Sequence, residues 1–113
     1  MMEFLQSLNH AMLIKYLPRA MLDLVDMGDY YREIGGSKLA RRMFDSSKSE
    51  IVVLRDSPEI APAYELAAGV RRLMVSSGLL LVFYRLHSNI EVLHIRRAER
   101  EPLATDDLDG FGL

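Results

Sequence analysis

The final third of the chain constrains the fold most. Three runs rich in β-favouring residues, 70–75, 79–86 and 90–97, are separated by Ser76-Ser77-Gly78 and His87-Ser88-Asn89. Short apolar runs divided by clusters of turn-forming residues predict consecutive antiparallel strands joined by tight connections. The middle run, LLLVFYRL, lacks the apolar–polar alternation of a half-exposed strand. Both of its faces should therefore be covered, which places it centrally in the sheet. The third run carries Ile90 and Val92 on one face and Leu93 and Ile95 on the other, before Arg96 and Arg97 lead it out to solvent.

Upstream, residues 11–17 (AMLIKYL) form a short β-favouring run that stops at Pro18. A proline is well placed to open a helix, because its missing N–H is not needed in the first turn. Ala20, Leu24, Met27, Tyr31 and Ile34 then recur at helical spacing. Gly35-Gly36 should close this helix and Ser37 should cap a second one. In the second helix Leu39 or Ala40, Met43, Phe44, Ile51 and Leu54 share a side, while Lys38, Arg41, Arg42, Lys48 and Glu50 face water. Serines 46, 47 and 49 weaken its middle, and Asp56-Ser57-Pro58 stops it. Residues 58–68 read as a loop with one helical turn near 63–66.

The predicted fold class is α+β: a strand, an antiparallel two-helix hairpin, then a three-stranded meander. The helices should pack on one face of a four-stranded twisted sheet, leaving part of a concave face open to a partner. Residues 1–10 are expected to be an extension with little structure, 11–101 the folded domain, and 102–113 a loosely held acidic tail.

Composition excludes several function classes. At 113 residues there is room for one domain with a thin core. The absence of cysteine removes disulfides, thiolate catalysis and Cys-rich zinc sites together. His10, His87 and His94 lie on different elements without ligand spacing, so no metal is expected, and His94 reads as a strand residue near a carboxylate. No P-loop, G-x-G-x-x-G, H-E-x-x-H or G-x-S-x-G occurs, so no cofactor is expected either. The longest apolar run, residues 79–84, cannot span a bilayer, and residues 1–11 do not read as a secretory signal. The expected compartment is the cytoplasm.

A net charge of −2 argues against a protein that coats nucleic acid. The charge is nevertheless segregated. Arg71, Arg72, Arg85, Arg96, Arg97 and Arg100 fall between residues 69 and 100, and Asp106, Asp107 and Asp109 follow in the tail. Arginine offers a planar fork of donors suited to phosphates, carboxylates and carbonyls. The cluster reads either as a grip on a macromolecular target or as a solubilising rim paired with Glu91, Glu99 and Glu101.

Several segments, in order, resemble the ParE branch of the RelE/ParE toxin superfamily across residues 13–100. YLPRA and DLVDMGDY resemble its strand-to-helix transition, and SPEI at 57–60 is similar to its loop after the second helix. GVRRL at 69–73 resembles its G-L-R segment, LVFYR at 81–85 its I-F-Y-R strand, and IEVLHIRRAER at 90–100 its last strand running into H-G-x-R-D. Matched position by position, Arg71 is similar to the arginine of G-L-R, Tyr84 and Arg85 to the Y-R pair, and Arg100 to the arginine of H-G-x-R-D. Arg97 stands in place of that motif's histidine, Ala98 of its glycine and Glu101 of its aspartate.

The resemblance implies a toxin of a type II toxin–antitoxin system, a growth-arresting protein held in a toxin–antitoxin hetero-oligomer. ParE-like members are associated with poisoning DNA gyrase, whereas RelE-like members cut messenger RNA on the ribosome with basic residues of the central strands and a C-terminal arginine and tyrosine. In this chain the corresponding sheet positions are Leu73, Val75 and Leu80, and no tyrosine follows Arg100. The expected function is therefore gyrase inhibition by binding, with no catalytic residue. The target-binding residues would be Arg71, Arg85, Arg96, Arg97 and Arg100. A ribosome-dependent nuclease using Arg71, Tyr84, Arg97 and Arg100 is the alternative, and an inactive relative that binds only an antitoxin is the third reading.

Overall fold

In the computed structural model, residues 12–99 are described. The three β-favouring runs form β2 (Val70–Val75), β3 (Leu80–Leu86) and β4 (Ile90–Arg97), preceded by β1 (Ile14–Tyr16). The meander is antiparallel, with Val75 opposite Leu80 and Leu80 opposite Arg97, and β1 joins the far edge parallel to β4, Ile14 opposite Ile90. The sheet order is β1-β4-β3-β2. β3 is thus an inner strand, as its continuous apolar character requires. The β2–β3 connection has four residues, 76–79, of which Ser76, Ser77 and Gly78 are left-handed at φ 52°, 57° and 84°.

The helical part differs from the expectation. There are not two helices separated by a linker but one helical element, α1 (Pro18–Val52), in which Gly36 alone leaves helical angles, at φ 80° and ψ 179°. A single glycine suffices because only a residue without Cβ adopts that conformation cheaply. Gly35 keeps helical geometry, and a Cβ there would collide with the Leu39 side chain. The two arms lie side by side, since Leu24 and Val25 of the first line the same groove as Phe44 of the second.

Each arm buries one face at the same rhythm: Ala20, Asp23, Met27 and Tyr31 before the break, and Ala40, Met43, Ser47 and Ile51 after it. Two of these inward positions are polar. Ile34 and Phe44, expected inside, are 59% and 38% exposed.

The main core lies between α1 and one sheet face, where Val75, Leu80, Val82, Tyr84, Ile90, Val92 and Ile95 meet the helix. Burying a single large aliphatic side chain contributes about 1.5–3 kcal/mol, so this layer carries most of the stability. A second, smaller cluster of Val70, Phe83 and Leu93 sits on the opposite face under Leu17, Tyr64 and Ala67.

The segment supplying Tyr64 is not the helical turn expected near 63–66. It runs along the outer edge of β2, with Ala63 bridged to Arg71, the Arg72 amide donating to Pro62 and the Tyr64 amide to Val70. This protects an edge strand that would otherwise present unpaired backbone groups. Ring packing of Tyr64 edge-on to Phe83, centroids 4.9 Å apart, fixes it in place. Among the described residues, Leu17, Tyr64 and Ala67 cover the sheet face away from α1 over Val70, Phe83 and Leu93.

Candidate functional site

Strand register decides where the arginines go. Arg71 pairs with Tyr84, on the face that packs against α1, and Arg72 pairs with Phe83 on the other face. Arg97 pairs with Leu80, again on the α1 side, and Arg96 pairs with Leu81 on the opposite side. Arg71 and Arg97 thus share a face but lie four residues apart along the strands, about 13 Å. The structure brings together Arg71 with Tyr84, and Arg96 with Arg97, but not these two pairs. Arg100 lies outside the described residues.

Arg71 reaches back to the loop and donates to the Ala61 carbonyl at 2.6 Å and the Glu59 carbonyl at 3.2 Å. Its neighbour Tyr84 is fully buried and donates its hydroxyl to the Pro58 carbonyl at 2.8 Å. Burial pushes the Tyr84 phenol above the usual tyrosine range. Together these two side chains hold the segment that covers the β2 edge.

Arg85 is opposite Glu91 and donates to it at 2.6 Å, a cross-strand ion pair. The hydrogen bond from Arg85 holds the Glu91 carboxyl below its ordinary value. At the other end of the sheet Arg97 stacks its guanidinium 3.6 Å over the Tyr30 ring and donates to Glu99 at 2.8 Å. Its partner ring belongs to an aromatic pair, Tyr30 edge-on to Tyr31 at 5.0 Å. Burial, followed by the Glu99 carboxylate, raises the Tyr31 phenol.

Composition and spacing did not reveal the buried link between helix and sheet. β1 is only three residues long, so β4 runs on past its last pairing at Val92. There Asp23, from α1, accepts from the Ile95 amide at 2.9 Å, pairs with the His94 ring nitrogen Nδ1, and receives the Arg19 guanidinium at 3.2 Å. The carboxylate takes the place of a longer β1. His94 does lie beside a carboxylate, as expected, and its ring stacks on Phe83. The available signal was the Ala20, Asp23, Met27 spacing, which puts an acid on the inward stripe.

A polar cleft of about 270 Å³ opens at this link, lined by Arg19, Asp23, Tyr30, His94, Arg96 and Arg97. A second, apolar groove of about 370 Å³ runs between the arms of α1, lined by Tyr16, Met21, Leu24, Val25, Phe44 and Ile51. Met21 and Val25 there are 54% and 61% exposed.

A second polar contact ties α1 to the far end of the meander. Ser46 and Ser47 meet the Ser76 hydroxyl at 2.8 and 3.0 Å, and Glu50 accepts from the Ser76 amide at 2.8 Å. The serines expected only to weaken the helix thus fasten the left-handed turn. Among the described residues no cluster of three or more His, Asp or Glu could hold a metal ion, and no helix is long and apolar enough to cross a membrane.

The fold is similar to two solved structures. The chromosomal ParDE toxin–antitoxin system from P. aeruginosa aligns with a TM-score of 0.72 at 24% identity, covering 80% of this chain and 99% of that one. The isolated RelE toxin of E. coli aligns at 0.56 with 15% identity, covering 88% and 98%. At these identities the likeness establishes the fold. No curated protein matches the sequence. The model of one family does match, over residues 14–102, a span that includes all four strands, the helix and the arginines. The chain belongs to the family of ParE toxins of the type II toxin–antitoxin system, parDE.

Proposed function

We propose that this toxin acts by gripping DNA gyrase, without chemistry of its own, and that a cognate antitoxin in the cytoplasm silences it. One observation carries the reading: two of the side chains that an RNA-cutting relative would need are engaged in holding the fold. Arg71 is held by loop carbonyls, and Tyr84 is buried with its hydroxyl on Pro58. Val75 and Leu80, at positions that would have to be basic, are in the core. A phosphoryl-transfer site lacking positioned cations loses the electrostatic stabilisation that dominates such chemistry.

Family membership implies an antitoxin. The groove between the α1 arms supports a place for it, because its exposed Met21, Val25 and Phe44 match the apolar face of an amphipathic helix. Arg96 and Arg97, at the end of β4, together with Arg100, are the residues we assign to target binding, with Arg85 and Arg71 serving the sheet behind them. Messenger RNA in a translation extract should stay intact when the purified protein is added. Codon-positioned cuts by primer extension, lost in Arg97→Ala, would instead establish the nuclease.

A further inference from the structure

The outer edge of β2 is paired with its own chain only in part. Residues 62–64 lie antiparallel to 70–72, with the Tyr64 amide donating to the Val70 carbonyl at 2.8 Å and the Arg72 amide to the Pro62 carbonyl at 3.1 Å. In a complete antiparallel pair the N–H of residue 62 would return a bond to the Arg72 carbonyl. Residue 62 is proline and has no N–H to give. Ile60, which this register would set opposite Met74, turns away with its amide on the Ser57 carbonyl at 3.1 Å. Among the described residues, then, the β2 edge has no partner strand at Met74, which is 56% exposed.

Residues 62–68 are also tied down differently from what precedes them. The root is fixed: Ala61 is buried in the main core, and the carbonyls of Pro58, Glu59 and Ala61 are held by Tyr84 and Arg71. At the other end stands Gly69, at φ 79°, with open space where a Cβ would be. Between these pivots the segment is held by backbone bonds and by Tyr64 and Ala67 packed over Val70, Phe83 and Leu93. None of its side chains adds a hydrogen bond or ion pair among the described residues.

We propose that residues 62–68 are a strap that opens while the rest of the fold stays closed, and that the bared β2 edge accepts an extended segment of another protein chain in its place. The strap itself specifies that segment. It runs antiparallel to β2 and carries an aromatic side chain where Tyr64 now meets Phe83, centroids 4.9 Å apart. A residue other than proline at the position of Pro62 supplies the bond that the Arg72 carbonyl lacks, and an incoming strand can run on past Met74. Main-chain bonds of this kind give strand addition its affinity, and the aromatic position gives it selectivity. Opening alone uncovers Val70, Phe83 and Leu93, at 0%, 2% and 0% exposure, so the open form stays minor until an occupant covers them. The site is at the opposite edge of the sheet from β1 and adds to the groove between the α1 arms without using it.

Hydrogen exchange of the full chain, read by NMR in low urea, tests the opening. A local opening exposes little surface, so exchange at the Tyr64 and Arg72 amides should be at least about tenfold faster than at Val82 and nearly independent of urea, while Val82 quickens with it. Arg72 following Val82 in both rate and urea dependence would overturn the strap. The acceptor is tested with a probe peptide copied from residues 60–68 and carrying Pro62→Val, titrated into the full chain bearing Tyr64→Ala, which loosens the strap. The Val70, Arg72 and Met74 amides should shift and those of Met21 and Val25 stay in place. The same peptide with proline restored should bind about fivefold more weakly, and one lacking the aromatic at least about tenfold more weakly. Unmoved Arg72 and Met74 amides, shifts in the α1 groove instead, or indifference to the aromatic would each refute the acceptor. Matching β4 amide shifts in the two proteins verify that the variant is folded.

Discussion

Arg71 and Tyr84 face each other across the β2–β3 pair and spend their polar ends on one loop, Arg71 on the Ala61 carbonyl and Tyr84 on that of Pro58. Both belong to segments that resemble the family's sequence signature, and both bond the loop beside β2. Residues acting on one element couple, so their removal should not be additive. Tyr84→Phe and Arg71→Ala should each cost about 1 kcal/mol, and the double variant should cost less than the sum. Urea unfolding of the four proteins measures it, and full additivity would show that the two side chains do not share the loop.

The same tyrosine predicts an alkaline limit. Its folded pKa is raised by burial, so the stability it contributes is present below the ordinary tyrosine value of about 10 and is lost as pH rises through the higher folded value. Tyr84→Phe should remove part of the alkaline loss of stability, read from thermal midpoints across that range.

Glu91 gives the opposite dependence. The hydrogen bond from Arg85 lowers its folded pKa, so its contribution is present above the ordinary glutamate value of about 4.3 and disappears as pH falls through the depressed one. In Arg85→Ala the Glu91 carboxyl should titrate nearer its ordinary value, observable by NMR, and the acid-side slope of stability should flatten.

The buried carboxylate joining α1 to β4 should matter more than any surface pair. Asp23→Ala would strand the Ile95 amide and remove the carboxylate from His94 Nδ1 and Arg19, at a cost of about 3 kcal/mol. Asp23→Asn retains an acceptor for Ile95 and should cost less. Equal losses in the two variants would mean that the amide contact contributes nothing.

Backbone geometry yields a matched pair of outcomes. Gly36→Ala places a Cβ on a left-handed residue and should destabilise by about 1 kcal/mol. Ser77→Gly relieves a left-handed serine in an exposed turn and should stabilise by about 0.5–1 kcal/mol. Ser76, also left-handed, should not gain in the same way, because its hydroxyl and amide hold Ser46, Ser47 and Glu50. Denaturation midpoints test all three.

The sheet was legible because its information is local. Val70–Val75 and Ile90–Arg97 begin and end where the β-favouring runs meet their turns. β1 is shorter than residues 11–17 because its length is set by pairing with β4, a partner about 75 residues downstream that propensity does not register. The helix break was visible as Gly35-Gly36, but only the structure distinguishes the residue that turns the backbone from the one that packs against Leu39.

The site was less legible. Which face Arg96 and Arg97 take depends on the irregularity opposite Phe83 and Tyr84, where β4 carries one extra residue between Val92 and His94. That offset reverses the facing of everything after it, and no local pattern announces it. Asp23 and His94 meet across 71 residues, a pairing that helical spacing hinted at and only tertiary structure completes.

The central claim, that this toxin inhibits by binding gyrase and not by cutting RNA, is tested most directly by a supercoiling assay with purified protein and relaxed plasmid. Stoichiometric addition should block supercoiling, weaken on Arg96→Glu and be reversed by the cognate antitoxin. Undiminished supercoiling at saturating toxin, from a preparation that still arrests growth when expressed, would contradict it.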